Sequence, residues 1–265
     1  MSINQEPVIV MCMKWGTMYG PEYVNRLKAG VERNLKRPFR FVCFTDNKDG
    51  LNEGIETFPL PRKNYSTDFK DTRWMKLDVY QKDLFGLEGT ALFLDLDLVI
   101  VDSLEPFFDL PGEFLIIRDD DLYNRKVLRS IFYPKYDEFR QAVGNTSVFR
   151  YKIGAHDDIY QEFINNQEIC LKEHSNEQEF LTTKLKEKQI LDYWPKNWCV
   201  SFKDQCVPPG LMSYLKNPKT PKEAKIVVFA GNLKMSEVVN GKGHKWYRRI
   251  GNIDWLKEAW FGVKS

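Results

Sequence analysis

The chain has 265 residues, and its 39 lysines and arginines nearly balance its 37 aspartates and glutamates, leaving a formal charge of +2. Such a balance excludes a general polyanion-binding character, and no apolar run approaches the roughly 20 residues that a membrane-spanning helix needs. Hydrophobic residues at 43% and aromatic residues at 14% are ample for a packed core, and the length suits one large domain or two small ones.

Residues 1–7 show no basic segment followed by an apolar one, so no secretory leader is expected. The five cysteines (Cys12, Cys43, Cys170, Cys199, Cys206) are odd in number and lack metal-type spacing. Cys12 and Cys43 fall in apolar runs, where a thiol behaves as a small buried residue. A soluble protein of the reducing cytoplasm is expected, with peripheral attachment to a membrane left open.

In chain order, residues 8–13 read as a short apolar strand, followed by a loop (14–20) holding Gly16 and Gly20. Pro21 suits the first turn of a helix. Tyr23, Leu27, Val31 and Leu35 then recur every four residues, which predicts an amphipathic helix to about residue 36. Residues 40–45 form a second strand ending in Thr45-Asp46-Asn47, and 55–60 a weaker third between Gly54 and Pro61. A helix is expected over 72–85, with Trp74, Leu77, Tyr80 and Leu84 on one face and Lys76 on another. This order of strands and helices opens a nucleotide-binding α/β unit.

Residues 91–101 are an apolar run broken only by Asp95 and Asp97. Such a run reads as a strand buried on both faces. Alternation along it sends both aspartates to the same side. Burying two carboxylates is costly unless a cation, a basic side chain or solvent at the strand's end offsets the cost. A divalent metal carrying a substrate phosphate is the favoured reading; a pair of surface aspartates in the turn after a shorter strand is the plain alternative.

Downstream, a short helix is expected over 104–108, a strand over 114–118, a solvated acidic turn at Asp119-Asp120-Asp121, and a loop or buried connection over 122–140. Asn145-Thr146-Ser147-Val148-Phe149-Arg150 joins turn residues to a strand. A helix ends near residue 165, and another opens at His174-Ser175-Asn176-Glu177-Gln178-Glu179. There Ser175 as cap and Gln178 three residues on have the capping-box spacing, which would make Gln178 structural. Residues 226–229 are a late strand before Ala230-Gly231-Asn232-Leu233-Lys234, and the region around Trp255 to Trp260 is a short packed helix. No repeat or linker stands out, so one domain is expected, with residues 1–101 as its nucleotide-binding half and 102–265 as its donor-sugar and acceptor half.

The order of these motifs resembles nucleotide-sugar glycosyltransferases of the GT-A fold, and within them the glycogenin-like and bacterial lipopolysaccharide retaining transferases. The resemblance spans nearly the whole chain as scattered short motifs: the Asp95-Leu96-Asp97 triplet, the Asn-Thr-Ser-Val-Phe strand, Glu177-Gln178, and the late Gly231-Asn232-Leu233-Lys234 loop. It implies an α/β fold with a central mixed, mostly parallel sheet flanked by helices. The implied activity moves a sugar from a nucleoside diphosphate sugar, UDP favoured, to a saccharide or glycolipid hydroxyl, with retention. No nucleic-acid partner is implied.

Physical chemistry fits that activity, because the leaving diphosphate carries about two to three negative charges that a bridging divalent cation stabilises. Oxygen ligands from Asp95 and Asp97 suit manganese or magnesium. By the resemblance, Asp95 also contacts the ribose or sugar. Lys14, Trp15, Gly16, Tyr19, Thr45 and Asp46 would bind the nucleoside, although Trp15 also reads as a core or lid aromatic. Lys76 would face the donor, although it also reads as a solvated helix lysine. Asn145, Thr146 and Ser147 would lie near the donor sugar, with Ser147 where the family has glycine. Gly231, Asn232 and Lys234 would hold the diphosphate through close backbone approach and point charge. Gln178 would lie near the anomeric carbon and Glu177 against the sugar or acceptor, with attack from the leaving-group side.

One departure stands out. Ala230 occupies the place of the family's third metal ligand, a histidine before the late glycine. His244 is the candidate substitute, against its plainer reading as a surface residue. Two alternatives therefore stay open. The Asp-Leu-Asp triplet also fits a haloacid-dehalogenase-type phosphatase, in which the first aspartate is a nucleophile, but that reading needs it on the first strand. A catalytically degenerate nucleotide-sugar-binding protein is the other.

Overall fold

The computed structural model describes residues 7–61, 72–122, 143–229, 233–243 and 245–263. Strand β1 (Val8–Lys14) lies between β2 (Phe39–Thr45) and β4 (Thr90–Leu94), parallel to both, and β3 (Glu56–Phe58) extends β2 in parallel. Past β4 comes β7 (Gly144–Lys152), the one reversed strand, then β6 (Phe114–Arg118) and β8 (Leu191–Tyr193). The seven-stranded order is β3-β2-β1-β4-β7-β6-β8, a mixed and mostly parallel sheet.

β1 over Val8–Met13 and β4 over Ala91–Leu94 are apolar throughout because both faces of the sheet are covered there. On β1, Val10 and Cys12 join one core, while Ile9, Met11 and Met13 join the other; on β4, Leu92 and Leu94 oppose Ala91 and Phe93. The first core lies under helix α1 (Pro21–Asn34), whose Tyr23, Val24, Leu27 and Val31 turn inward. It also contains a small sheet of β5 (Leu98–Ile100), β9 (Cys199–Ser201) and β10 (Ile226–Val228), in the order β5-β10-β9. Gly30 faces β5, where a Cβ would make an ordinary contact with Ile100 Cδ1 at 3.4 Å.

On the opposite face, the segment expected as a helix over 72–85 is a 3-10 helix, Thr72–Tyr80. It is buried on most of its circumference: Trp74, Met75, Leu77, Asp78, Val79 and Tyr80 are all enclosed. After the short helices α2 (Glu105–Asp109) and α3 (Asp119–Leu122), this layer continues with α4 (Asp157–Asn165), α5 (Gln167–Glu173) and α6 (Glu177–Glu187). The indole of Trp74 stacks on Phe163 of α4 at 5.0 Å, and Phe180 of α6 packs beside both. The acidic triplet thus forms α3 instead of a turn. Helices α7 (Met235–Val239) and α8 (Asp254–Phe261) complete the chain. Residues 123–142 lie outside the described residues, as does the expected loop or connection over them. Among the described residues no helix is long and apolar enough to cross a membrane.

Candidate active site

The run 91–101 is not one strand. β4 stops at Leu94, the chain bends through Asp95-Leu96-Asp97, and β5 begins at Leu98 in the other sheet. Each end of the bend is held separately. The Asp95 N–H donates to the Ser147 carbonyl at 2.9 Å, one step past the β4–β7 pairing, whereas the Asp97 carbonyl accepts from the Phe229 N–H at 2.8 Å, just past β10. The two carboxylates come together through this junction, not through strand alternation. They line one cavity of about 310 Å³ with Lys14, Trp15, Met18, Tyr19 and Lys76.

The charges in the cavity are unevenly matched. Lys76 Nζ donates to Asp95 Oδ2 at 2.7 Å and also to the carbonyl and hydroxyl oxygens of Thr146, at 3.1 and 3.4 Å. The Thr146 hydroxyl donates in turn to Glu177 Oε1 at 2.7 Å. The lysine is thus the hub of a buried network, not a solvated helix residue. Burial pulls its ammonium down, and Asp95 with Glu177 more than restores it, so it stays protonated. Glu177 is deeply buried; burial pushes its carboxyl up, against the opposing pull of Lys76 and Thr146.

Asp97 has no such partner. Its Oδ1 is enclosed and has no hydrogen bond among the described residues. Burial, then the charge of Asp95, pushes its carboxyl up to about 7, with Lys76 opposing. An enclosed carboxylate oxygen beside a second carboxylate is a costly arrangement.

A divalent cation fits that oxygen. Among the described residues no group of three or more histidines, cysteines, aspartates or glutamates could hold a metal. A cation here would therefore take two carboxylates from the protein and its other ligands from phosphate and water, the usual habit of magnesium at substrate phosphates. Ala230 and His244 lie outside the described residues.

Gln178 follows from the way α6 begins. The cap is Asn176, whose Oδ1 accepts from Glu179 N–H at 3.0 Å, and Glu179 reaches back to accept from Ser175 N–H and Oγ–H at 2.9 and 2.6 Å. The capping pair is one residue later than the Ser175–Gln178 spacing predicts, which releases Gln178. Its Oε1 accepts from Thr146 N–H at 3.0 Å. Asn145 sits beside them, donating to Asp119 Oδ1 at 3.1 Å and accepting from Ser147 N–H at 3.0 Å. The residues alone do not announce the Asp119 contact; its only signal is that Asp119 directly follows β6, the neighbour of β7.

The loop after β1 closes the other side of the cavity. Lys14 is buried at the strand's end, and Trp15 is half-buried, packed against the second core while also lining the cavity. Gly16 has φ +61°, a left-handed conformation that favours glycine. Its N–H donates to Asp46 Oδ2 at 2.8 Å, tying the loop to the end of β2. The Thr45 hydroxyl donates to the Asn47 carbonyl at 2.9 Å and accepts from the Asn47 N–H at 3.1 Å, shaping the turn that carries Asp46. Lys234 lies 5.6 Å from the Tyr19 ring and reaches the Met18 carbonyl at 3.4 Å. Gly231 and Asn232 lie outside the described residues. Met18 lines the cavity unforeseen; only its place between two glycines hints at it.

No protein-family model matches the chain, and no curated protein matches it in sequence. Solved structures do match. The galactosyltransferase LgtC, in complex with donor and acceptor sugar analogs, superposes with a TM-score of 0.55 at 12% identity, over 86% of this chain and 88% of that one. An active-site mutant of LgtC gives 0.55 at 11% identity, over 86% and 89%. The apo bifunctional glycosyltransferase WbbM gives 0.58 at 11% identity, over 88% of this chain and 47% of that one.

The fold is GT-A. In this GT-A sheet the Asp-Leu-Asp triplet follows the fourth strand, so the phosphatase reading, which requires the first strand, loses its premise. The GT-A frame brings Lys14, Trp15, Tyr19, Lys76, Asp95 and Asp97 to one cavity, with Thr146, Glu177 and Gln178 linked to it through Lys76.

Proposed function

We propose that this chain is a glycosyltransferase, working as a single GT-A unit, that moves a sugar from a nucleoside diphosphate sugar, UDP-sugar by preference, to a saccharide or glycolipid hydroxyl with retention. The observation that carries the reading is the pair Asp95 and Asp97 lining one cavity, with Asp97 Oδ1 enclosed and without a partner among the described residues. The structural neighbours LgtC and WbbM are glycosyltransferases, and LgtC has been seen with donor and acceptor analogs.

In this reading Asp95 and Asp97 hold manganese or magnesium, which when bound offsets the charge of the leaving diphosphate. Lys14 and Lys234 add positive charge on the nucleotide side, and the enclosed site strengthens each such attraction. Trp15 and Tyr19 flank the base. Asp46 holds the 14–20 loop through Gly16. Lys76 orients Asp95 and, through Thr146, orders the segment that binds Gln178. Gln178 has its amide oxygen committed to Thr146, which leaves the amide N–H groups for the donor sugar near the anomeric carbon. Gly231 and Asn232 are assigned to the diphosphate on the resemblance.

A second reading is favoured by one observation. Asp95 already has a counter-ion in Lys76, so the site tolerates an absent metal better than an unpaired pair would. This is the degenerate sugar-nucleotide-binding protein. Incubation with a panel of sugar nucleotides, with manganese and then with chelator, separates the two. Manganese-dependent release of free nucleotide supports the transferase. Binding without turnover across the panel and a set of saccharide acceptors supports the second reading. Absence of any sugar-nucleotide binding overturns both.

A further inference from the structure

Away from the cavity, the surface carries large apolar side chains that no part of the described protein covers. Leu211, Met212, Tyr214, Leu215, Trp246 and Tyr247 are all exposed, Leu211 at 70%, Leu215 at 81% and Trp246 at 86%. They come from two stretches distant in sequence: the 3-10 helix Gly210–Tyr214 with its following residue, and the turn joining Lys245 to Arg248. The stretches are bound to one another. Tyr214 Oη donates to the Trp246 carbonyl at 2.9 Å, and Arg249 N–H donates to Ser213 Oγ at 2.8 Å. A single exposed leucine needs no explanation, but six large apolar residues on two fastened loops form a patch.

Within the two segments that carry the patch the charge is basic, with Asp204, Glu223, Glu237 and Asp254 at their borders and Asp204 lining a pocket with Leu215 and Lys216. Segments 205–222 and 238–253 contain seven lysines and arginines and no aspartate or glutamate, in a chain whose acids and bases are otherwise nearly balanced. Lys216 directly follows Leu215, and Lys245 and Arg249 flank the Trp246-Tyr247 pair; all three are exposed. Indole and phenol rings settle at the headgroup level of a bilayer, leucines insert below it, and lysines reach up along their stems to anionic headgroups. An ordinary protein interface selects against lysine, whereas an anionic lipid surface selects for it.

We propose that this face docks the protein on a bilayer containing anionic lipid, with Leu211, Leu215 and Trp246 inserting and Lys216, Lys245 and Arg249 contacting headgroups. The inference does not depend on the sugar-transfer reading and survives its failure.

The test is co-sedimentation of the full chain with vesicles of phosphatidylcholine alone and of phosphatidylcholine mixed with phosphatidylglycerol. Binding is expected to the anionic vesicles and to collapse near 1 M salt, where the screening length falls to about 3 Å. Trp246→Asp and Leu215→Asp should each weaken it by about tenfold or more, and Lys216→Ala and Lys245→Ala by about fivefold each. These side chains are solvent-exposed, so the melting temperature of each variant should match the parent's, which separates lost docking from lost folding. Three results overturn the proposal. One is no preference for anionic vesicles. A second is undiminished binding by both aspartate variants. A third is a lipid-free dimer in sedimentation velocity that Trp246→Asp dissociates, which would assign the face to a second copy.

Discussion

Replacing Lys76 by methionine tests the electrostatics of the cavity directly. The ammonium donates to Asp95 at 2.7 Å and to two oxygens of Thr146. Methionine keeps much of the stem and removes every donor. Breaking a buried pair on one side costs about 3–5 kcal/mol. Here the side chains are 14% and 22% exposed, which places the loss toward the lower end. The hydrogen bond to the Asp95 carboxylate alone contributes about 1.5–3 kcal/mol, which agrees with a loss of about 3 kcal/mol. For a chain of this size that is a fall in melting temperature of about 6–12 °C. Urea and thermal unfolding at pH 8 in chelator measure it. Manganese should then restore part of the loss, since a cation bound only by the folded state at a hundred times its dissociation constant adds about 2.7 kcal/mol. A Lys76→Met protein that melts within about 2 °C of the parent, well inside the shift expected from such a loss, would refute the account of Lys76 as the counter-charge of Asp95.

The opposite expectation attaches to Asp97. Because its Oδ1 is enclosed without a partner among the described residues, Asp97→Asn should raise stability in chelator by about 1–2 kcal/mol while abolishing manganese-dependent donor binding, read by urea titration and by calorimetry. Arg150 donates to the carbonyls of Phe107, Leu110 and Gly112 at 2.9, 2.7 and 2.7 Å, and Arg150→Met should lower stability by about 3 kcal/mol or more without changing donor affinity in the folded fraction. His156 is fully buried, with neither ring nitrogen hydrogen-bonded among the described residues, and burial pulls its imidazole down to about 4. The unfolded chain then binds the extra proton first, so stability is retained above pH 6.5 and lost as pH falls from 6.5 to about 4. The full loss is about 3 kcal/mol. His156→Leu should flatten that limb of the urea-midpoint profile; an unchanged limb would assign acid sensitivity elsewhere.

Much of the fold is legible in the residues, because its first half obeys local rules. The spacing of Tyr23, Leu27 and Val31 and the Pro21 start predict α1, and the apolar runs on either side predict β1 and β2. The bend at 95–97 is not legible, because Leu94, Leu96 and Leu98 continue the apolar pattern through it. What ends β4 is the departure of β5 to pair with Ile226–Val228, more than a hundred residues away, and no local window contains that partner. The 3-10 form of 72–80 is not legible either, because residues three apart share a face in an α-helix too, and Met75 and Val79 are buried beside Trp74, Leu77 and Tyr80. At α6 the sequence offers both Ser175 and Asn176 as caps, and only the tertiary contact with Thr146 shows that the Gln178 side chain turns toward β7 and is free of the cap. Most candidate residues at and just after the ends of β1 and β4 meet in one cavity with Lys76 of the 3-10 helix, since parallel strands bring their carboxyl ends to the same edge.

The two aspartates hang from different scaffolds, one fastened to the large sheet through Ser147 and the other to the small sheet through Phe229. Their spacing is therefore a gauge of how the two layers are stacked. A substitution deep in the small sheet, such as trimming Ile226, touches nothing in the cleft yet would detune the claw that those side chains form. Loss of donor binding in such a distant variant would trace to a shifted layer, with every ligand-facing side chain intact.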